Sequence, residues 1–247
     1  MAIRTRIGVM VPSTNTSCEA DFQMVAPEGV TIHGHRMWTT NDAEGGESME
    51  VMNADIETAA KYLSTAKVEA IAYGCTTGSF YKGPGWDEEM VRLIESTAGV
   101  PAASTSAAVT EALHFFGAKK LSIATPYPDW NNQKLRDYMT AQGFEVLNLE
   151  GEPWASKAGN QGINDQDPEV IVDFASSICH PDADVLFCSC TAWRSVEAVD
   201  ELERRTGKPV VTSNQATIWA TFRKVGIKTP IKGYGKLLES LGAAVPA

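Results

Sequence analysis

Three short stretches of this chain recur further along it in the same order, and that repeat constrains the fold more than any other feature. Gly74-Cys75-Thr76 returns as Ser189-Cys190-Thr191, 115 residues on. Val11-Pro12-Ser13 returns as Thr125-Pro126-Tyr127 with an offset of 114, and Gly99-Val100-Pro101 returns as Gly207-Lys208-Pro209 with an offset of 108. Three landmarks in one order describe two similar halves, as after a gene duplication, related by a pseudo-twofold.

The segments around these landmarks set the fold class. Ile7 to Val11, Ala70 to Tyr73, Leu121 to Ala124 and Asp184 to Phe187 are short, nearly continuous apolar runs, the pattern of parallel strands covered on both faces. Between them Met52 to Ala66, Glu88 to Thr97, Ser104 to Phe116, Gln133 to Gln142, Pro168 to Ile178, Ser195 to Arg205 and Asn214 to Val225 carry apolar residues at helical spacing, several ending near a glycine. The alternation predicts an α/β protein of two pseudo-symmetric domains, each a parallel sheet flanked by helices. Ligands of such sheets bind beyond the carboxyl ends of the strands. The repeat therefore predicts that Cys75 and Cys190, each directly after a strand, face each other across one cleft.

Composition narrows the chemistry. With 43% apolar residues in 247, the chain can bury a substantial core, and its net charge of −10, with no basic run longer than Arg204-Arg205, speaks against nucleic acid as a partner. No stretch is apolar and long enough to span a bilayer and the first residues lack a signal-peptide core, so a cytoplasmic protein with no membrane partner is expected. Five cysteines at positions 18, 75, 179, 188 and 190 suit reduced thiols better than a disulfide framework. The four histidines are scattered and Cys188-Ser189-Cys190 stands alone, so no metal site is expected; the absence of a phosphate-loop lysine motif or a Gly-x-Gly-x-x-Gly after any strand gives no nucleotide cofactor either.

Cys75 precedes Thr76-Thr77-Gly78-Ser79, where loop amides favour the thiolate and the two hydroxyls help to form an anion-binding nest. Cys190 has the same strand-Cys-Thr setting, and the amides of Thr191 and Ala192 are candidate donors beside it. Asn15, just after the first strand, reads equally as a helix cap or as a substrate ligand. Tyr127, at the equivalent point of the second half, could donate its phenolic hydroxyl to a carboxylate. Asn160 falls in a polar, loop-like stretch. Arg194 reads as a solvated residue of a first helical turn rather than a carboxylate clamp, and Cys18, Cys179 and Cys188 as core or surface thiols.

These residues resemble the aspartate/glutamate racemase superfamily, in the branch that holds maleate cis–trans isomerase and arylmalonate decarboxylase. Pro12-Ser13-Thr14-Asn15-Thr16, Gly83-Pro84-Gly85, Thr125-Pro126-Tyr127, Asn160 seven residues before Asp167-Pro168, and Ser189-Cys190 resemble the isomerase. Ser79-Phe80-Tyr81-Lys82-Gly83, the run from Gly207 to Ser213, and Gly233 to Lys236 resemble the decarboxylase. Thr76 to Ser79 and Thr191 to Arg194 depart from the isomerase pattern. The decarboxylase carries a non-thiol residue where Cys75 stands and lacks Asn15.

The resemblance implies a first half made of 1–102 with 211–247, a second half of 103–210, and the site in the cleft between them. It implies a cofactor-independent enzyme in which Cys75 is the nucleophile and Cys190 the general acid/base, acting on a small carboxylate held by Asn15, Thr76, Thr77, Tyr127, Asn160, Thr191 and Ala192. Racemisation by the same two thiols, decarboxylation through Cys190 alone, and non-catalytic carboxylate binding are the competing readings. A homo-oligomer is left open.

Overall fold

The computed structural model describes residues 4–39 and 47–244. In chain order the elements of the first sheet and its helices are β1 Thr5–Pro12, α1 Cys18–Val25, β2 Val30–Met37, α2 Glu47–Asn53, α3 Ile56–Thr65, β3 Ala70–Tyr73, α4 Thr76–Phe80, α5 Trp86–Ala98 and β4 Ala102–Ser104. There follow α6 Thr105–Phe115, β5 Lys120–Thr125, α7 Asp129–Ala141, β6 Glu145–Gly151, α8 Ala155–Asp165, α9 Pro168–Ile178, β7 Val185–Cys188, α10 Val199–Thr206, β8 Val210–Thr212, α11 Ser213–Lys224 and α12 Gly235–Glu239.

The strands form two four-stranded sheets of orders β2-β1-β3-β4 and β6-β5-β7-β8, parallel in every pairing. The orders superimpose strand for strand, so the repeat in the sequence is a repeat of whole βαβ units. In each sheet the winding reverses between the first and third strands, the place where an α/β sheet opens a crevice at its carboxyl edge. The loops leaving that place in the first sheet contain Asn15 and Cys75; in the second they contain Tyr127 and Cys190.

Burial explains why these strands read as apolar runs. Ile7, Val9 and Val11 of β1 enter a core shared with β5, β7 and α11, while Met10 faces the opposite way into a smaller core with Met52, Ile56, Leu63, Ile71 and Ile94. That is the two-residue alternation of a strand covered on both faces. Each fully buried aliphatic side chain there contributes about 1.5–3 kcal/mol. α11 packs against α6, β3 and β4, tying the end of the second sheet's chain segment to the first sheet. The third landmark has a conformational cause: Gly99 and Gly207 end α5 and α10 in the left-handed region at φ 71° and 69°, each donating its N–H to the carbonyl four residues back.

Two expected helices are corrected. Met52 to Ala66 is two helices, α2 and α3, with Ala54 and Asp55 between them. Ser195 to Arg205 begins only at Val199, because Ser195 and Ala198 close turns, their amides donating to the carbonyls of Trp193 and Ser195. Among the described residues no helix is long and apolar enough to cross a membrane.

Candidate active site

The nine residues singled out in the sequence all line one cavity of about 250 Å³ between the carboxyl edges of the two sheets. Thr14, Thr39, Trp130 and Asn131 line it too, and Pro12, Met49, Ala155 and Ile163 give part of it an apolar wall. No lysine, arginine or histidine is among the described residues that line it, so an anion there is met by amides and hydroxyls. Among the described residues no group of three or more side chains is arranged to hold a metal ion.

Cys75 leaves β3 in an extended conformation at φ −147° and serves as the N-cap of α4, its sulfur accepting the Gly78 N–H at 3.4 Å. The thiol takes the place of the serine or threonine oxygen usual at a helix start. Cys190 is placed alike: its sulfur accepts the Ala192 N–H at 3.4 Å. Both side chains are buried. Burial pushes the Cys75 thiol up to about 12, against the Gly78 amide, which pulls down; the nearby Cys190 pushes up again. Burial likewise pushes Cys190 up to about 11, opposed by the amides of Ala192 and Trp193 and by the Tyr127 hydroxyl. At neutral pH both sulfurs therefore rest as thiols, each with an amide ready to receive negative charge.

The two halves hold each other's cysteine loops. Asn15 Nδ2 donates to Thr191 Oγ1 at 3.1 Å, while Asn15 Oδ1 accepts the N–H groups of Ser17 and Cys18. The oxygen satisfies donors at the start of α1 from two residues ahead of its N-cap, Ser17, and Asn15 also lines the cavity. In return Asn131 Nδ2 donates to Thr77 Oγ1 at 2.9 Å. Ser17 Oγ donates to the Ala192 carbonyl at 2.8 Å, and Thr76 Oγ1 donates to Ser213 Oγ at 2.9 Å. Tyr127 is buried beside Cys190; burial first, and then that sulfur, push its phenol far above the ordinary value. It stays a neutral hydroxyl and a donor.

Asn160 is corrected in its setting: it stands on α8, just after that helix breaks at Gly159, and its Nδ2 donates to Thr14 Oγ1 at 3.2 Å. Asn164, one turn on, donates to the Thr14 and Asn160 carbonyls and accepts the Thr16 N–H. Arg194 does not line the cavity; it pairs with Glu197 at 2.9 Å and Asp167 at 3.7 Å, as a solvated residue would. Cys18 and Cys188 are buried and Cys179 is partly exposed.

Asn131 was missed. It lies in a polar helix start that reads as ordinary solvated surface, and because it stands five residues after Pro126 where Asn15 stands three after Pro12, the repeat carried no signal for it. Trp130, Met49, Ala155 and Ile163 carried none either.

A family model described as arylmalonate decarboxylase matches residues 7–238. A maleate isomerase of Pseudomonas putida is 30% identical over 249 residues, covering 95% of this chain and 97% of that protein. An arylmalonate decarboxylase of Bordetella bronchiseptica is 27% identical over 239 residues, covering 94% and 96%. The structure of a maleate cis–trans isomerase of Nocardia farcinica, a cysteine-to-serine mutant with a covalently bound succinylcysteine intermediate, matches with a TM-score of 0.88 and 25% identity over 96% of this chain and 99% of that one.

Proposed function

This chain belongs to the arylmalonate decarboxylase family, and from that premise we propose that it is a cofactor-independent cis–trans isomerase of a small dicarboxylate, with maleate as the reference substrate. The observation that carries the reading is that two buried thiols from equivalent loops of the two halves line one cavity, each receiving one backbone N–H. A one-acid decarboxylase has no use for the first of them. The working halves are 1–102 with 211–247, and 103–210, with each boundary moved by two residues so that β4 stays whole in the first and β8 in the second.

The chemistry follows from the two sulfurs. Cys75, as the thiolate left when its proton departs to solvent, adds to one alkene carbon. The electron pair moves through the second alkene carbon into its carboxylate, and Cys190 delivers its proton to that carbon. The product is a succinyl thioether whose central bond is single and rotates. Cys190 then takes the proton back, the carbon–sulfur bond breaks, and the trans isomer leaves with Cys190 again a thiol and Cys75 a thiolate, ready to add again or to regain its proton from solvent. The charge that builds on the carboxylate meets donors already in place: Asn15, Thr76, Thr77, Tyr127, Asn160 and the amides of Thr191 and Ala192. No step needs an electron sink outside the substrate.

A second reading keeps one supporting observation. The apolar wall of Met49, Ala155 and Ile163 suits an aryl or alkyl substituent, as in decarboxylation of a substituted malonate with Cys190 alone as proton donor. Incubating the protein with maleate and, separately, with phenylmalonate in D2O without added cofactors, and following products by proton NMR, separates the two. Fumarate from maleate is expected; conversion of phenylmalonate alone would reject the isomerase.

A further inference from the structure

The Thr191–Ala192 peptide, whose N–H points at Cys190, is gripped from behind by a chain of buried groups that the proposed mechanism does not use. The Thr191 carbonyl accepts one Nδ2 hydrogen of Asn214 at 2.9 Å, and Asp21 Oδ2 accepts from the same nitrogen at 2.7 Å. Asn214 stands at the start of α11 and is fully buried; Asp21 lies on α1 and is 3% exposed. A series of hydrogen bonds therefore runs from Asp21 through Asn214 and one peptide unit to the Cys190 sulfur, the last step at 3.4 Å.

The arrangement is held at a cost. Asn214 Oδ1 is buried with no hydrogen-bond partner, a state that native structures rarely keep without a reason. The reason lies in the geometry: rotating the amide would set its oxygen against the Thr191 carbonyl, two acceptors opposed, and would give up the N–H that holds that carbonyl. Asp21 is a second cost, since a buried carboxyl without a cation in contact is unfavourable. Around it stand Glu197 and Arg194 from the segment after Cys190 and Cys18 from its own helix. Two expensive side chains of the first half, from α1 and α11, thus stand behind the one peptide of the second half that addresses Cys190.

We propose that Asn214 and Asp21 are positioning residues for Cys190, fixing and polarising the Thr191–Ala192 peptide so that its N–H stabilises the Cys190 thiolate. The bond from Asn214 to the Thr191 carbonyl and the bond from the Ala192 N–H to the Cys190 sulfur are in series through one peptide and polarise one another, while Asp21 fixes the Asn214 amide by accepting its other hydrogen. The inference rests on Cys190 being the acid/base of the reaction. Its test reads the sulfur itself, so it stands apart from whether maleate is the substrate.

The experiment is alkylation by iodoacetamide across a pH series, with Cys190 and Cys75 quantified separately by peptide mass spectrometry in the full chain. In Asn214→Ala, Cys190 should be alkylated about threefold more slowly or worse at pH 8, because less of it is thiolate, while Cys75 keeps its rate. Asp21→Asn preserves the volume and should move Cys190 in the same direction by less; it decides alone if Asn214→Ala does not fold. Folded variants in which Cys190 keeps the parent profile, or in which both cysteines slow equally, would overturn the proposal.

Discussion

Asn15 and Thr191, 176 positions apart in sequence, are joined side chain to side chain at 3.1 Å, so the loop leaving β1 carries the hydroxyl next to Cys190. Because Asn15 also satisfies donors at the start of α1 with its oxygen, one amide links a helix start in one half to the cysteine loop of the other. Asn15→Ala should therefore do two things at once. Losing the buried hydrogen bonds costs about 1–3 kcal/mol of stability, measured by urea denaturation, and releasing Thr191 should lower kcat/KM on the best substrate. Unchanged stability with full activity would show the bond to be incidental.

Asn131 and Thr77 make the reciprocal link, and Thr77 is in turn part of α4, which begins on Cys75. Asn131→Ala should cost about 1 kcal/mol or more and should disturb labelling of Cys75 before that of Cys190. The order of the two effects, followed by peptide mass spectrometry, is the reading that matters.

Gly78 brings its N–H to the Cys75 sulfur in a space that has no room for a side chain: a β-carbon there would meet the Tyr73 hydroxyl at 2.2 Å and the Cys75 sulfur at 3.2 Å. Tyr73 is fully buried with its hydroxyl bonded to Asn53 and cannot swing out. Gly78→Ala should cost about 1–3 kcal/mol by thermal melting and slow alkylation of Cys75. A melt like that of the parent would show that the loop yields.

The repeat made the two cysteines, Asn15 and Tyr127 readable because each sits at a fixed distance from a strand end that the apolar runs reveal. The strands that escaped notice failed for identifiable reasons. β2 and β6 lie at sheet edges, partly exposed, and carry polar residues such as His33, His35, Asn148 and Glu150, while β4 and β8 are three residues long and merge into the helices that follow. Asp21 and Asn214 were illegible for a different reason. In sequence they look like an acidic first-turn residue and a helix-start asparagine, and only the packing of α1 against α11 buries them together.

That burial has a pH signature. Asp21 has its carboxyl pushed from 3.8 up to about 8, first by burial, with Asn214 pulling down and Glu197 pushing up. The folded protein therefore holds this proton more tightly than the unfolded chain does. The resulting stability is fully present below the unfolded value and is lost as pH rises from about 4 through 8. Asp21→Asn has no proton to lose there. The difference in melting temperature between the variant and its parent should move in the variant's favour from pH 5 to pH 8; parallel curves would contradict the burial.

The sharpest distinction between the proposed isomerase and a one-acid decarboxylase lies at position 75. Serine there keeps the shape of the loop, and its oxygen can accept the Gly78 N–H as the sulfur does, so the fold should be undisturbed. Its hydroxyl, with a far higher pKa, is a much weaker nucleophile. If Cys75 adds to the alkene, Cys75→Ser should lower turnover of maleate by roughly a thousandfold or more. Cys190→Ser should also be severely impaired, yet it keeps the nucleophile, so exposure to maleate should leave the mass of the added diacid on the peptide that contains Cys75. A decarboxylase behaves oppositely: Cys75→Ser retains most activity on a substituted malonate, and only Cys190→Ser loses it. Full activity of Cys75→Ser on the best substrate found would end the two-thiol mechanism, because nothing else in the cavity could then owe its rate to the first sulfur.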